Sequence, residues 1–256
     1  MTADQRDATY RSLYTYAWDI EDQGVGAFLD EVQAMGIRDV TLAMAYHAGK
    51  FIRPHAKSGP RVIFPEDGVT YFEPDMARYG EIRPLAHSQA TTKAVVGDLI
   101  NDGRVRVHAW TVLLHNTRIG QAYPHYTVKN AFGDSYVYSL CPMQDAVFDY
   151  AVHLCSDLAS QYAFSSLVLE TPGWLPYGHG YHHEFAQVAT NPWLDNLLGT
   201  CFCDACQQAA RRKGIQIEAL QDRVKQSIDH YLALPAQAQS DQAQAWMQVE
   251  LLSDPD

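Results

Sequence analysis

Apolar positions along this chain recur at two spacings, and the switches between them mark strands and helices. Leu13-Tyr-Thr-Tyr-Ala-Trp18 is rich in strand formers and ends at Asp19. Over residues 23–35, Val25, Phe28, Leu29, Val32 and Met35 take a helical spacing that Gly36 terminates. Asp39-Val-Thr-Leu-Ala-Met-Ala-Tyr46 is the near-continuous apolar run of a buried parallel strand. Two short runs, 61–64 and 69–72, flank Pro65-Glu-Asp-Gly68 and predict an inserted hairpin over 61–72. Residues 86–101 return to helix, and Val105–Leu114 is a third buried strand. Within it His108 and Trp110 alternate in direction with their neighbours, and one of the two is read as core filling. A polar and aromatic loop is expected over 115–139 and a helix over 143–162. Ser166-Leu-Val-Leu169 forms a fourth strand ending at Glu170.

Four βα units with long loops after the strands point to an α/β fold of the (β/α)8 TIM-barrel type rather than a doubly wound sheet. No Gly-x-Gly-x-x-Gly follows any strand, which weakens a dinucleotide-binding reading. No strand pattern follows Glu170; residues 204–233 and 236–252 read as helices. A barrel takes roughly 250 residues, and four strands already use 170. The expectation is therefore a single barrel domain over 1–256 with only its first four to five βα units, a barrel cut short or the N-terminal half of a longer protein.

Composition narrows the chemistry. Apolar residues make up 47% of the 256 positions, enough for a sizeable core. Lys plus Arg is 19 against 30 Asp plus Glu, a net charge of −11, which disfavours nucleic acid and anionic membrane as partners. No stretch approaches the ~20 apolar residues of a membrane span, and the N-terminus lacks the apolar run of a secretory signal. The expected setting is the cytoplasm.

Three of the five cysteines form Cys201-Phe-Cys203-Asp-Ala-Cys206. Thiolates this close, entering a helix, can face one tetrahedral Zn²⁺. Cys141, in a loop ahead of the 143–162 helix, is the chosen fourth ligand, because Cys155 lies inside that helix and reads as a buried thiol. Four sulfurs leave no open position, so such a zinc is structural. The alternatives are reduced cysteines without metal, or a disulfide, which a cytoplasmic setting disfavours.

Tyr138-Ser-Leu-Cys141-Pro-Met, a helix, a strand ending in Glu170, and Cys201-Phe-Cys-Asp-Ala-Cys-Gln-Gln-Ala-Ala210 together resemble family 42 glycoside hydrolases, the β-galactosidases of clan A. Gly214-Ile-Gln-Ile-Glu-Ala-Leu220 extends the likeness, which is best over 138–221. The first 137 residues look more like uncharacterised glycosidase-like barrel proteins. The resemblance implies a glycosidase-like barrel, zinc on Cys141, Cys201, Cys203 and Cys206, and Glu170 as general acid/base. Three features depart from the family. Leu169 stands where the family has Asn, no strand carries the nucleophile, and 31 positions separate Glu170 from Cys201.

In a barrel the C-terminal strand ends build the site. Here they offer Trp18 and Asp19, Tyr46 and His47, His115 and Asn116, then Glu170, Trp174, Tyr177, His179, His182 and His183. Aromatic faces suit a sugar's C–H side and fixed polar groups suit its hydroxyls. Glycoside hydrolysis needs two carboxyl groups. Glu170 is one, and Asp19 is only a stand-in for the other, since a helix cap or loop acid is the simpler reading of it. The His179, His182, His183 and Glu184 group could instead hold a catalytic metal, but its Gly-rich loop favours substrate contacts or loop packing. The expected partner is a carbohydrate substrate. A homo-oligomer or a missing C-terminal half would cover the open strand edges. The alternative function is a non-catalytic carbohydrate-binding or scaffold protein.

Overall fold

The strand that sequence periodicity marks most plainly, β2 (Asp39–Tyr46), is the centre of a sheet in the larger of two compact units. The computed structural model describes residues 10–179, 181, 188 and 190–235. Among them one unit runs through Thr117 and resumes over Phe148–Pro172, while the other takes Arg118–Val147 and the chain from Gly173. The described residues form a mixed α/β structure with a largely parallel central sheet and eight α-helices. No helix among them is long and apolar enough to cross a membrane.

In the first unit, β1 (Ser12–Thr15) leads into α1 (Ala17–Gln23) and α2 (Val25–Ala34), which Gly24 separates at φ 85°. The expected first strand therefore stops short, and Trp18 and Asp19 lie in the first turn of a helix. β2 is parallel to β1 on one side. α3 (Ala90–Asp102) buries Thr92, Val95, Val96 and Leu99 and ends on the left-handed Gly103. β7 (Arg106–Val112) pairs with β2, and β10 (Ser166–Glu170) pairs with β7, both in parallel. The parallel strands follow one another in the order β1-β2-β7-β10, compatible with part of an α/β barrel, and α5 (Asp145–Gln161) precedes the last.

The expected hairpin over 61–72 does not form. β4 (Val62–Ile63) pairs with β3 (Phe51–Ile52), and β5 (Val69–Thr70) joins the main sheet, antiparallel to the end of β2 and parallel to β6 (Leu85–Ala86). Asp67-Gly68 does turn the chain, with Gly68 at φ 61°. A Cβ there would collide with the Asn116 side chain, so the turn also seats Asn116.

Alternation gives the sheet two unlike faces. Val40, Leu42, Met44, Val107 and Ala109 form a buried apolar face. Ser12, Tyr14, Asp39, Thr41, Arg106, His108, Trp110, Ser166 and Glu170 share the other. His108 and Trp110 thus lie on the same face, and neither is apolar filling. At its N-terminal end Arg106 Nε and Nη2 donate to Asp39 at 2.7 and 2.8 Å. His108 bridges Asp39 Oδ1 (2.9 Å) and Ser166 Oγ (2.7 Å). Asp39 is held below the usual carboxylate value by Arg106 and then His108, against the opposing effect of burial.

The second unit contains residues 118–139 of the segment expected as a loop over 115–139. Thr117–Ala122 is α4, and β8 (Thr127–Lys129) pairs with β9 (Ser135–Leu140) around a turn in which Asn130 Oδ1 accepts from the Phe132 and Asp134 amides. After Glu170 come α6 (Pro192–Gly199), α7 (Asp204–Arg212) and α8 (Ile217–Leu232). Gly214, at φ 79°, splits the helix expected over 204–233. Trp193, Leu194, Phe202, Ile217, Val224, Ile228 and Tyr231 form this unit's core. The helix expected over 236–252 lies outside the described residues.

Candidate functional site

β2 contains the feature that assembles the site. Its register against β7 shifts between Ala43, opposite Trp110, and Ala45, opposite Thr111. Two residues of β2 therefore face one of β7, a bulge that exchanges the faces of the strand's last residues. Without it Tyr46 would point into the helix-covered face. With it Tyr46 joins Trp110 on the open face, ring centroids 5.0 Å apart.

Tyr16, extended at φ −120° and two residues beyond Tyr14, continues the alternation of β1 onto the same face. Its hydroxyl donates to that of Tyr46 at 3.2 Å. Its ring stacks on Trp18 (4.4 Å, 12°) and contacts Phe51 and Trp110. Burial pushes the Tyr16 and Tyr46 phenols up, so both stay protonated hydrogen-bond donors. Trp110 Nε1 donates to Glu170 Oε2 at 2.5 Å, which fixes the carboxylate at the strand end. Thr171, directly after Glu170, takes a left-handed φ of 50°, a conformation a β-branched residue adopts at a cost.

Around this centre Tyr46, His47 and His115 form a stacked ladder, with centroid spacings of 4.3 and 4.2 Å. His47 Nδ1 lies 2.6 Å from the Ala48 carbonyl, which can only accept, so Nδ1 is the donor. Asn116 Nδ2 donates to the Gly68 carbonyl at 3.3 Å. Trp18 Nε1 and the Tyr71 hydroxyl are buried donors without a protein partner among the described residues. A hydroxyl-bearing ligand or water would complete them. Trp18 also borders a cavity of about 560 Å³ with Phe64, Arg53, Glu66 and His87.

Trp18, Tyr46, His47, His115, Asn116 and Glu170 are thus all in the first unit, at the C-terminal side of its parallel strands. Asp19 is committed elsewhere: Arg53 Nε donates to its Oδ1 at 2.7 Å. Trp174, Tyr177 and His179 belong to the second unit, where Trp174 is exposed and the Tyr177 ring meets Tyr136 at 5.8 Å. His182, His183 and Glu184 lie outside the described residues. Tyr16, Phe51, Tyr71 and Trp110 are the members that sequence reasoning missed. Only Tyr16 left a signal, as the middle of the period-two series Tyr14, Tyr16, Trp18.

The second unit gathers the cysteines. Cys141 follows β9, Cys203 caps α7 and Cys206 lies in its first turn. The Phe202 amide donates to the Lys129 carbonyl at 2.7 Å, clipping the Cys201–Cys206 loop to β8. Cys141 Sγ lies 3.5, 3.6 and 3.8 Å from those of Cys206, Cys203 and Cys201. All four lie within 4.8 Å of one another. A sulfur tetrahedron with metal–sulfur bonds of ~2.3 Å has edges of ~3.8 Å, so the set fits one ion. Cys155 belongs to the first unit, half-buried in α5, and burial pushes its thiol up.

No family model and no curated protein matches the chain. Among solved structures it is similar to an alpha-L-fucosidase isoenzyme 2 from Paenibacillus thiaminolyticus, at 13% identity and a TM-score of 0.47, over 84% of this chain and 28% of that one. It is also similar to a hypothetical protein from Ruminiclostridium thermocellum, at 15% identity and a TM-score of 0.45, over 62% of this chain and 75% of that one. The chain spans little more than a quarter of the fucosidase's length. These likenesses are too distant to bear on the site, and they give the family 42 resemblance no support.

Proposed function

We propose that the chain is a glycoside hydrolase of barrel type acting on a carbohydrate, with Glu170 as general acid/base and a structural zinc on Cys141, Cys201, Cys203 and Cys206. The observation that carries this reading is the convergence of Tyr16, Tyr46 and Trp110 on Glu170 at the C-terminal end of parallel strands. Aromatic walls take the sugar's C–H faces, while His47, His115, Asn116 and Trp18 offer hydrogen bonds to its hydroxyls. Glu170 protonates the glycosidic oxygen as the anomeric C–O bond breaks, then takes a proton from the incoming water. Cys141, Cys201, Cys203 and Cys206 would hold the zinc, which would brace the second unit without touching substrate, since four sulfur ligands leave no open position. An aryl-glycoside panel tests the assignment. Turnover by the native chain that Glu170→Gln abolishes supports it, and equal turnover by both eliminates Glu170.

A second reading, carbohydrate binding without hydrolysis, is favoured by Asp19. That carboxylate is ion-paired with Arg53, which leaves Glu170 without an assigned second catalytic group. Calorimetry showing sugar binding with no turnover selects this reading.

A further inference from the structure

We propose that the cavity beside Trp18 is a second carbohydrate subsite, so that the substrate is an uncharged oligosaccharide whose neighbouring unit is held there. The inference rests on the glycosidase reading of Glu170 and names the substrate class of that same site.

The cavity encloses about 560 Å³, within the ~300–1,000 Å³ of small-molecule pockets. It lies at the same end of the sheet as Glu170, because residues 58–66, which form its outer wall, belong to the connection that leaves the C-terminal end of β2. Aromatic contacts lead from one to the other. Trp18 lines the cavity and stacks on Tyr16, Tyr16 meets Trp110 at 5.5 Å, and the Trp110 indole holds Glu170. Successive sugar rings can lie along such a run of flat apolar faces.

The cavity is held open by a buried cation. Arg53, 7% exposed, ties its two walls together. On the α1 side Nε donates to Asp19 at 2.7 Å and Nη2 lies 3.1 Å from Asp22. On the outer side Nη1 donates to the Pro60 carbonyl at 3.4 Å. Asp22 also accepts from the Lys57 and Ser58 amides at 2.5 and 2.8 Å. The Asp19–Arg53 pair is thus a positioning device that fixes the outer wall relative to Trp18.

The lining suits hydroxyl groups. The Ser88 amide donates to both Glu66 oxygens at 3.3 and 3.2 Å, which orients a carboxylate that stays 39% exposed. His87 Nε2 lies 3.6 Å from the same group. Trp18 Nε1 and the Tyr71 hydroxyl, the buried donors without a protein partner, belong to rings 5.5 Å apart, and the Tyr71 ring meets His87 at 5.2 Å. Phe64, 73% exposed, offers an apolar ring at the rim.

Charge selects among sugars. Glu21, Asp22 and Glu66 line the cavity against the guanidinium of Arg53, which Asp19 and Asp22 already engage. A carboxylated or sulfated sugar would meet surplus negative charge there, whereas a neutral one meets acceptors for its hydroxyls.

Calorimetry with neutral mono- to tetrasaccharides of glucose, galactose, mannose and xylose tests the subsite. A hydrogen bond to a charged group supports a gain of about ten- to hundredfold. Native affinity should rise by that factor with chain length in at least one series. Phe64→Ala, at the surface, and Glu66→Gln, which keeps the side chain's shape, should each erase most of the gain with an unchanged circular-dichroism spectrum. Hexuronate oligomers of equal length should show no gain. Equal native affinity for mono- and tetrasaccharides, a gain indifferent to both substitutions, or a preference for hexuronates overturns the subsite and leaves the Glu170 reading to its own turnover test. Absence of binding to any sugar overturns both.

Discussion

Replacing Cys141 by serine removes one corner of the sulfur tetrahedron from a fully buried position. A serine hydroxyl stays protonated at neutral pH and cannot stand in for a thiolate, so three ligands remain. The two stretches that meet at the site, the end of β9 and the Cys201–Cys206 segment that leads into α7, then lose their common anchor. A structural zinc supplies ~10–16 kcal/mol of apparent binding free energy, while a whole domain is stable by only ~5–15 kcal/mol. Losing most of the zinc term is therefore enough to unfold the second unit, including α6, α7 and α8 with their 8, 9 and 16 residues. The first unit, which holds no ligand, should keep its own melting transition. Elemental analysis should find one zinc per native chain and well under one in the variant. Far-UV circular dichroism should show the lost helix, and Cys155→Ser should change neither measurement. Unchanged zinc content and melting in Cys141→Ser, or native protein that holds no metal and is indifferent to chelator, would refute the four-sulfur centre.

The first unit yields three further expected outcomes. Trp110→Phe keeps a ring against Tyr16 and Tyr46 but deletes the donor to Glu170; a hydrogen bond to a charged group is worth ~1.5–3 kcal/mol, so glycoside turnover should fall roughly ten- to hundredfold with sugar affinity nearly unchanged. Thr171→Gly relieves the left-handed backbone by ~1–2 kcal/mol and should raise the melting temperature by several degrees, as calorimetry would show; a lowered melting temperature contradicts the strain. Asp39 is depressed below 3.8 in the folded chain, so its contribution is fully present above that value and fades as pH falls through the depressed one. Denaturant titrations should then show Asp39→Asn less stable than the native chain at pH 6, with the gap narrowing toward pH 2.

β2 and β10 were legible because an uninterrupted apolar run needs no knowledge of its neighbours, and Cys201, Cys203 and Cys206 because their spacing is local. Cys141 followed once a fourth sulfur in a loop was sought. The hairpin over 61–72 failed for the opposite reason. Asp67-Gly68 specifies a turn but not which strands it joins, and β5 finds longer-range partners in β2 and β6. Tyr46 was named from its place at a strand end, yet the register shift at Ala43–Ala45 is what turns it toward Trp110, and that shift exists only once β2 and β7 pair. Asp19 looked equivalent to Trp18 in sequence, and only the fold reveals the Arg53 that occupies it.

Saturation-transfer NMR on a panel of methyl glycosides tests the central claim most directly. Irradiation of the aromatic envelope should pass to the sugar's ring C–H protons in the native chain. The transfer should collapse in Tyr46→Ala and persist in Glu170→Gln, where the aromatic wall is intact. Transfer of equal strength in Tyr46→Ala, or none to any glycoside in the native chain, would contradict a sugar site at this strand end.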